Sequence, residues 1–197
     1  MSQQLLAGLI AFAFVSSVTP GPNNLMLMAS GANFGFRRTI PHMLGIAIGF
    51  TVMIVALGAG LARLLDVYPA AHTVLKAVAV VYMLWLAWKI ARAAPPGSGS
   101  DVGRPMTFLQ AAAFQWVNPK AWAMAMTALA AYTPEGSLAA VALVAAVFGA
   151  INLPSVGCWA LLGQQMARIL TSRRRLLWFN GAMALLLIAS LWPVVMA

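Results

Sequence analysis

Two hydrophobic stretches of this 197-residue chain are interrupted by residues that a membrane helix ordinarily excludes. The first interruption reads Thr19-Pro20-Gly21-Pro22-Asn23-Asn24; the second, in the other half of the chain, reads Asn118-Pro119-Lys120. Proline removes a backbone hydrogen bond and clashes with the preceding turn, so each interruption should free carbonyl and N–H groups inside an apolar segment. In a bilayer such backbone survives only when buried in protein or lining a polar cavity. Asparagine favors the helix N-cap and proline the first helical position, so Asn118-Pro119 should open a new half-helix. At the first break the prolines should stop one half-helix, and Gly21 or Asn23 should start the next. Two half-helix N-termini would then offer N–H groups and positive dipole ends to an anionic group such as a carboxylate.

Lys120 adds a cation at the second break. It could pair with a substrate carboxylate or carry a proton; alternatively it snorkels, or bonds the carbonyls that the broken helix releases. A substrate ammonium could meet unwound carbonyls, the side-chain oxygens of Asn23, Asn24 or Asn118, or the faces of Trp116 and Trp122. Gln115 should line the site or satisfy freed backbone. Asn152, beside Pro154, is either a further polar contribution to the path or part of a packing kink. Cys158 reads as a small core residue. His42 and His72, at the ends of apolar runs, read as solvated or capping groups.

The elements that must position these residues follow from composition. The chain is 62% hydrophobic and 8% charged, with a mean hydropathy of +0.89. Soluble domains carry about 25% charged residues, so an all-α integral membrane protein is expected. Apolar runs of spanning length cover residues 5–33, 40–62, 70–92, 106–132, 136–163 and 175–196, which makes six transmembrane helices. The N-terminal residues lack the basic flank of a cleaved leader, so none is expected.

Ala93 to Asp101 is the sizeable hydrophilic gap, rich in proline, glycine and serine. It divides the chain into a first three-helix repeat (1–94), a cytoplasmic linker (95–104) and a second three-helix repeat (105–197). Arg37, Arg38, Lys89, Arg92, Arg104, Arg168 and Arg173 to Arg175 all fall in alternate loops. Those loops should be cytoplasmic and both termini extracytoplasmic. A triplet holds an odd number of spans, so the second copy should enter upside down as an inverted repeat, with helices one and four broken. At 1.5 Å per residue, Leu5 to Pro20 is ~22 Å and Met106 to Asn118 is ~18 Å, which brings both breaks toward the midplane. Matched interruptions of this kind point to a transporter's substrate site.

Several function classes drop out. The net charge of +9 lies in short loops, where topology explains it without nucleic acid. A single cysteine excludes a two-thiol relay. Asp66, Asp101 and Glu135 are the three carboxylates, all in predicted loops. No serine–histidine pair or aspartate pair suggests a membrane-embedded enzyme, and clustered ligands for a divalent-metal exporter are missing. No cofactor is expected. A dibasic cargo would meet Lys120 without a counter-charge, so a neutral zwitterion fits better. Gly45-x-x-x-Gly49 should allow close helix contact inside the protomer, and a homo-oligomer remains compatible. Trp85 and Trp88 beside Lys89 and Arg92, with Trp178, read as interfacial anchors.

With these residues in view, the chain resembles the LysE/RhtB family of bacterial amino-acid exporters over essentially its whole length. The resemblance rests on Thr19 to Asn24, on Gly35-Phe36-Arg37-Arg38 followed by Gly45-Ile46-Ala47-Ile48-Gly49-Phe50, on Tyr82 to Lys89, and on Asn118-Pro119-Lys120. The Trp85–Lys89 stretch and Cys158-Trp159-Ala160-Leu161 are most similar to the cysteine/O-acetylserine branch. The resemblance implies proton-driven efflux of an amino acid or close derivative across the bacterial inner membrane. It also implies that Pro20, Gly21, Pro22, Asn23, Asn24, Asn118, Pro119 and Lys120 belong to the transport path.

Overall fold

The structure, a computed structural model, describes residues 1–62, 67–93, 104–133 and 137–192. The loop carboxylates Asp66, Asp101 and Glu135, together with Arg63 and most of the expected linker, lie outside the described residues. Among the described residues every regular element is helical.

The first apolar run is divided as the prolines dictate. Helix α1 (Gln3–Val18) and helix α2 (Pro22–Phe34) meet at an angle of 51°. Ser2 caps α1 through the Leu5 N–H, and Pro22 occupies the first position of α2 after Gly21. Helix α3 (Phe36–Ala56) follows after a single residue, Gly35, whose φ of +80° favors glycine. The Phe36 N–H at that corner donates to Gln164 Oε1 at 2.6 Å. A π-helical turn, Leu57–Leu61, continues α3. Helix α4 spans Pro69–Ala91.

The fourth apolar run is divided as well. Helix α5 (Phe108–Phe114) starts with a capping box between Thr107 and Gln110. A 3-10 turn, Gln115–Val117, then precedes helix α6 (Pro119–Tyr132). Helix α7 (Leu138–Ala167) runs unbroken through Pro154, and helix α8 spans Arg173–Ala189. Helices over Phe36–Leu61, Thr73–Ala91 and Leu138–Ala167 are long and apolar enough to cross a membrane, and the bent α1–α2 pair makes a fourth such segment.

Helices in lipid associate through close packing rather than through exclusion of water, so small residues mark their contacts. Helix α2 packs on α7, α3 packs on both α5 and α7, and α4 packs on α8. A Cβ at Gly31 would strike the Ala160 carbonyl oxygen, and one at Gly163 would strike the Met28 carbonyl oxygen. The expected close contact at Gly45 and Gly49 is present inside the protomer: a Cβ at either would collide with Phe108, Ala111 or Ala112 of α5. Beside these contacts Leu9, Phe50, Val144 and Phe148 form a buried cluster, with Phe50 and Phe148 edge to face at 5.4 Å.

Two expectations need correction. His42 is neither solvated nor a cap; it is buried to 2% exposure because α3 turns that face toward α2 and the second half of the chain. Cys158 is exposed rather than in the core. Trp85, Trp88 and Trp178 are exposed, as anchors would be, and the Lys89 and Arg92 cations sit over the Trp85 and Trp88 rings at 4.8 Å each.

Candidate functional site at the paired helix breaks

The two interruptions, so far apart in sequence, touch in the fold. Asn118 caps α6 by accepting from the Lys120 N–H at 3.1 Å, with Pro119 next in the helix, as expected. This cap aims the Lys120 side chain across to the other break. Its Nζ donates to the Thr19 carbonyl at 2.6 Å, to Thr19 Oγ1 at 2.9 Å and to the Pro20 carbonyl at 3.4 Å. A Cβ at Gly21 would lie 2.5 Å from Lys120 Cδ, so glycine leaves the channel through which the lysine stem passes. The φ of Gly21, −174°, is extended backbone open to any residue, so the requirement is spatial.

A second link runs the other way. Asn23 Nδ2 donates to Gln115 Oε1 at 2.9 Å, and Gln115 Nε2 returns a bond to Asn23 Oδ1 at 3.2 Å. Gln115 also donates to the Ala111 carbonyl at 2.9 Å, so it both faces the first break and satisfies its own helix.

A helix that stops inside an apolar environment leaves carbonyls that must find donors. At the end of α1 each one does. Val15 O accepts from the Thr19 N–H, and Ser16 O from Thr19 Oγ1. Asn24 Nδ2 reaches back to the Ser17 and Thr19 carbonyls at 2.9 and 2.8 Å. Trp159 Nε1 on α7 donates to Val18 O at 3.2 Å. Lys120 completes the set at Thr19 and Pro20. Across the second break Trp122 Nε1 donates to Trp116 O at 2.8 Å.

The groups enclose a small polar cavity of ≈ 20 Å³. Gly21, Asn23, Asn24, Gln115, Asn118, Lys120 and Asn152 line it, as do Ser16 and Ser17. A volume of that size holds about one water and no amino acid. Pro20, Pro22, Pro119 and Trp116 shape the breaks without lining the cavity. Asn152 sits on the continuous α7, donates to Ser17 Oγ at 3.4 Å, and its Oδ1 has no partner among the described residues.

Sequence reasoning missed Trp159 and the back-reaching role of Asn24. It also missed a second reciprocal amide pair, buried and bridging the two halves. Asn33 Nδ2 donates to Asn180 Oδ1 at 2.9 Å, and Asn180 Nδ2 donates to Asn33 Oδ1 at 3.2 Å and to the Ala93 carbonyl at 3.1 Å. Two asparagines deep in apolar segments were the available signal, since polar side chains there seek one another. Among the described residues no group of three or more histidines, cysteines or carboxylates could hold a metal ion.

Apolar helices packed through glycine, with two helix breaks joined around a polar cavity, define a multi-pass membrane protein of the translocator class. The chain matches the LysE type translocator family over residues 14–190 and belongs to that family. It is therefore a translocator and not an enzyme. It is 33% identical over 191 residues to a cysteine/O-acetylserine efflux protein of Escherichia coli O139:H28, covering 95% of this chain and 96% of the relative. A protein of the same name from Klebsiella pneumoniae is 30% identical over 190 residues, covering 93% and 94%. One from Shigella sonnei is 32% identical over 191 residues, covering 95% and 96%. No solved structure matches the chain.

Proposed function

We propose that this chain exports small neutral amino acids or their derivatives across the bacterial inner membrane, cysteine and O-acetylserine first and threonine or homoserine next. The observation that carries the reading is the junction of the two breaks through Lys120 around a polar cavity. Lys120 there presents a cation to a carboxylate, while the Thr19 and Pro20 carbonyls suit an ammonium. The printed names of the relatives, at 30–33% identity over nearly the full length, support the cargo class.

The transport cycle is alternating access between two inverted triplets, coupled to protons. Exchanging span one with four, two with five, and three with six turns the α1–α7 contact into the α5–α3 contact, and both helix pairs are packed together. That correspondence supports six spans with inverted halves, and the basic loops support extracytoplasmic termini. The water-sized cavity suits an occluded state that must widen to admit cargo.

The test loads cells or vesicles with labeled cysteine, O-acetylserine, threonine, homoserine and lysine at two external pH values. Faster efflux of the neutral compounds with the protein is expected; equal efflux with and without it, for all five, refutes the reading. Lys120→Ala should abolish efflux at retained membrane abundance, and wild-type efflux from that variant would leave Lys120 a purely structural role.

A further inference from the structure

A second cavity, ≈ 150 Å³ against ≈ 20 Å³ at the breaks, lies toward the other end of α2. Its walls include Ser30 and Asn33 of α2 and His42 of α3, and its rim carries Lys89, Arg92 and Arg104. Those three cations belong to the loops whose charge marks the cytoplasmic side. No carboxylate among the described residues lines it.

The polar wall groups differ in one respect. Ser30 is hydrogen-bonded to Thr39 at 2.9 Å, and Asn33 is held by Asn180. His42, 2% exposed, has no partner at either Nδ1 or Nε2 among the described residues. Buried polar groups are paired in native structures, so an imidazole with both nitrogens open faces something it is built to meet. A neutral imidazole offers one donor and one acceptor. The cationic rim asks for an anionic group on the same ligand. A carboxylate beside an ammonium meets all three requirements at once.

We propose that this cavity is a separate, cytoplasm-facing binding site for a small zwitterionic amino acid, occupied before the helix breaks open to it. The proposal rests on the export reading for its place in the cycle. The geometry of α2 connects the two sites. Met26 lines the larger cavity and Asn23 the smaller; they lie three residues apart on one face of α2, ~4.5 Å in rise. Met26 is packed in one cluster with Phe114, the residue before Gln115. An apolar partition thus stands between the waiting site and the breaks, and cargo passes when it parts.

The experiment uses the full chain in nanodiscs for equilibrium binding of labeled O-acetylserine, and in proteoliposomes for initial efflux rate against internal concentration. His42→Leu fills the space without a polar group, and Arg104→Gln removes a rim charge on an exposed residue. Each should raise the half-saturation concentration about tenfold, the equivalent of one hydrogen bond to a charged group. Efflux with wild-type half-saturation in both variants overturns the cavity site and leaves the export reading intact. Binding sensitive to His42→Leu without any efflux by the wild type sustains the cavity site and sinks the export reading. A third outcome also overturns the cavity site: phosphatidylglycerol nanodiscs stabilize the protein in an Arg104-dependent way while O-acetylserine binding ignores both substitutions. The cavity would then hold a lipid headgroup.

Discussion

Gly21→Ala puts a single methyl group where the two breaks meet. The new Cβ would stand 2.5 Å from Lys120 Cδ and 3.2 Å from Nζ. Ordinary carbon contacts begin about 1 Å farther out than the first of these distances. The backbone at Gly21 is extended, so alanine is not conformationally strained and the effect must act through Lys120. The lysine stem must move, and its Nζ leaves Thr19, where it makes bonds of 2.6 and 2.9 Å. Hydrogen bonds to charged groups contribute about 1.5–3 kcal/mol each. A flexible stem recovers part of this, so a loss of one such bond, about 1.5–3 kcal/mol, is expected. For a chain of this size that corresponds to a drop in Tm of about 3–12 °C. The assay is thermal unfolding of purified protein followed by tryptophan fluorescence, for wild type, Gly21→Ala, Lys120→Ala and the double variant. Because the methyl acts on the lysine, Gly21→Ala should cost little once Lys120 is alanine. Equal costs in both backgrounds would refute the reasoning.

Other substitutions test the frame around this junction. Asn152→Leu removes a buried acceptor that has no partner among the described residues, so thermal stability should hold or rise slightly while efflux in vesicles falls. Gly163→Ala would drive a methyl into the Met28 carbonyl and should lower Tm by several degrees, whereas Gly181→Ala in α8, with open space around it, should raise stability by about 0.5–1 kcal/mol. A double-mutant cycle on Asn33 and Asn180 should give a coupling of about 0.6–1.7 kcal/mol, read from unfolding of the four proteins; no coupling would mean that the amide pair is incidental.

How much of this was legible beforehand depended on whether the signal was local. Asn118-Pro119 names a cap and a first helical residue within two positions, and the helix starts there. The prolines at 20 and 22 likewise end one helix and begin another. The Gly45–Gly49 spacing marks a close contact without saying with what, and α5 supplied the answer. The partners across the fold were not legible. The breaks suggested exposed positive helix ends, yet in this conformation the side chains largely serve the opposite need, donating to carbonyls that α1 releases. Lys120 bonds those carbonyls, one of the roles open from sequence, and Asn24 joins it from α2. His42 lies one turn after Arg37 and Arg38, at the charged end of α3, where a polar side chain reads as facing solvent, so its burial could not be read. Helix α7 is apolar on nearly every side and carries little periodicity, which hid the outward position of Cys158.

The crossed fastening of the breaks bears on leakage. Lys120 from the second half holds carbonyls of the first, and Asn23 from the first half holds Gln115 of the second. Neither break can loosen alone without stranding donors and acceptors of both. With nothing bound, opening would expose a cation, the Pro20 carbonyl and the Asn23 and Gln115 amides at once, a barrier that would keep an empty carrier shut. A cargo whose carboxylate takes the lysine, and whose ammonium takes the carbonyls, leaves every group partnered and removes that barrier. The cargo would in this way act as its own key, and a translocator built so would not leak when empty.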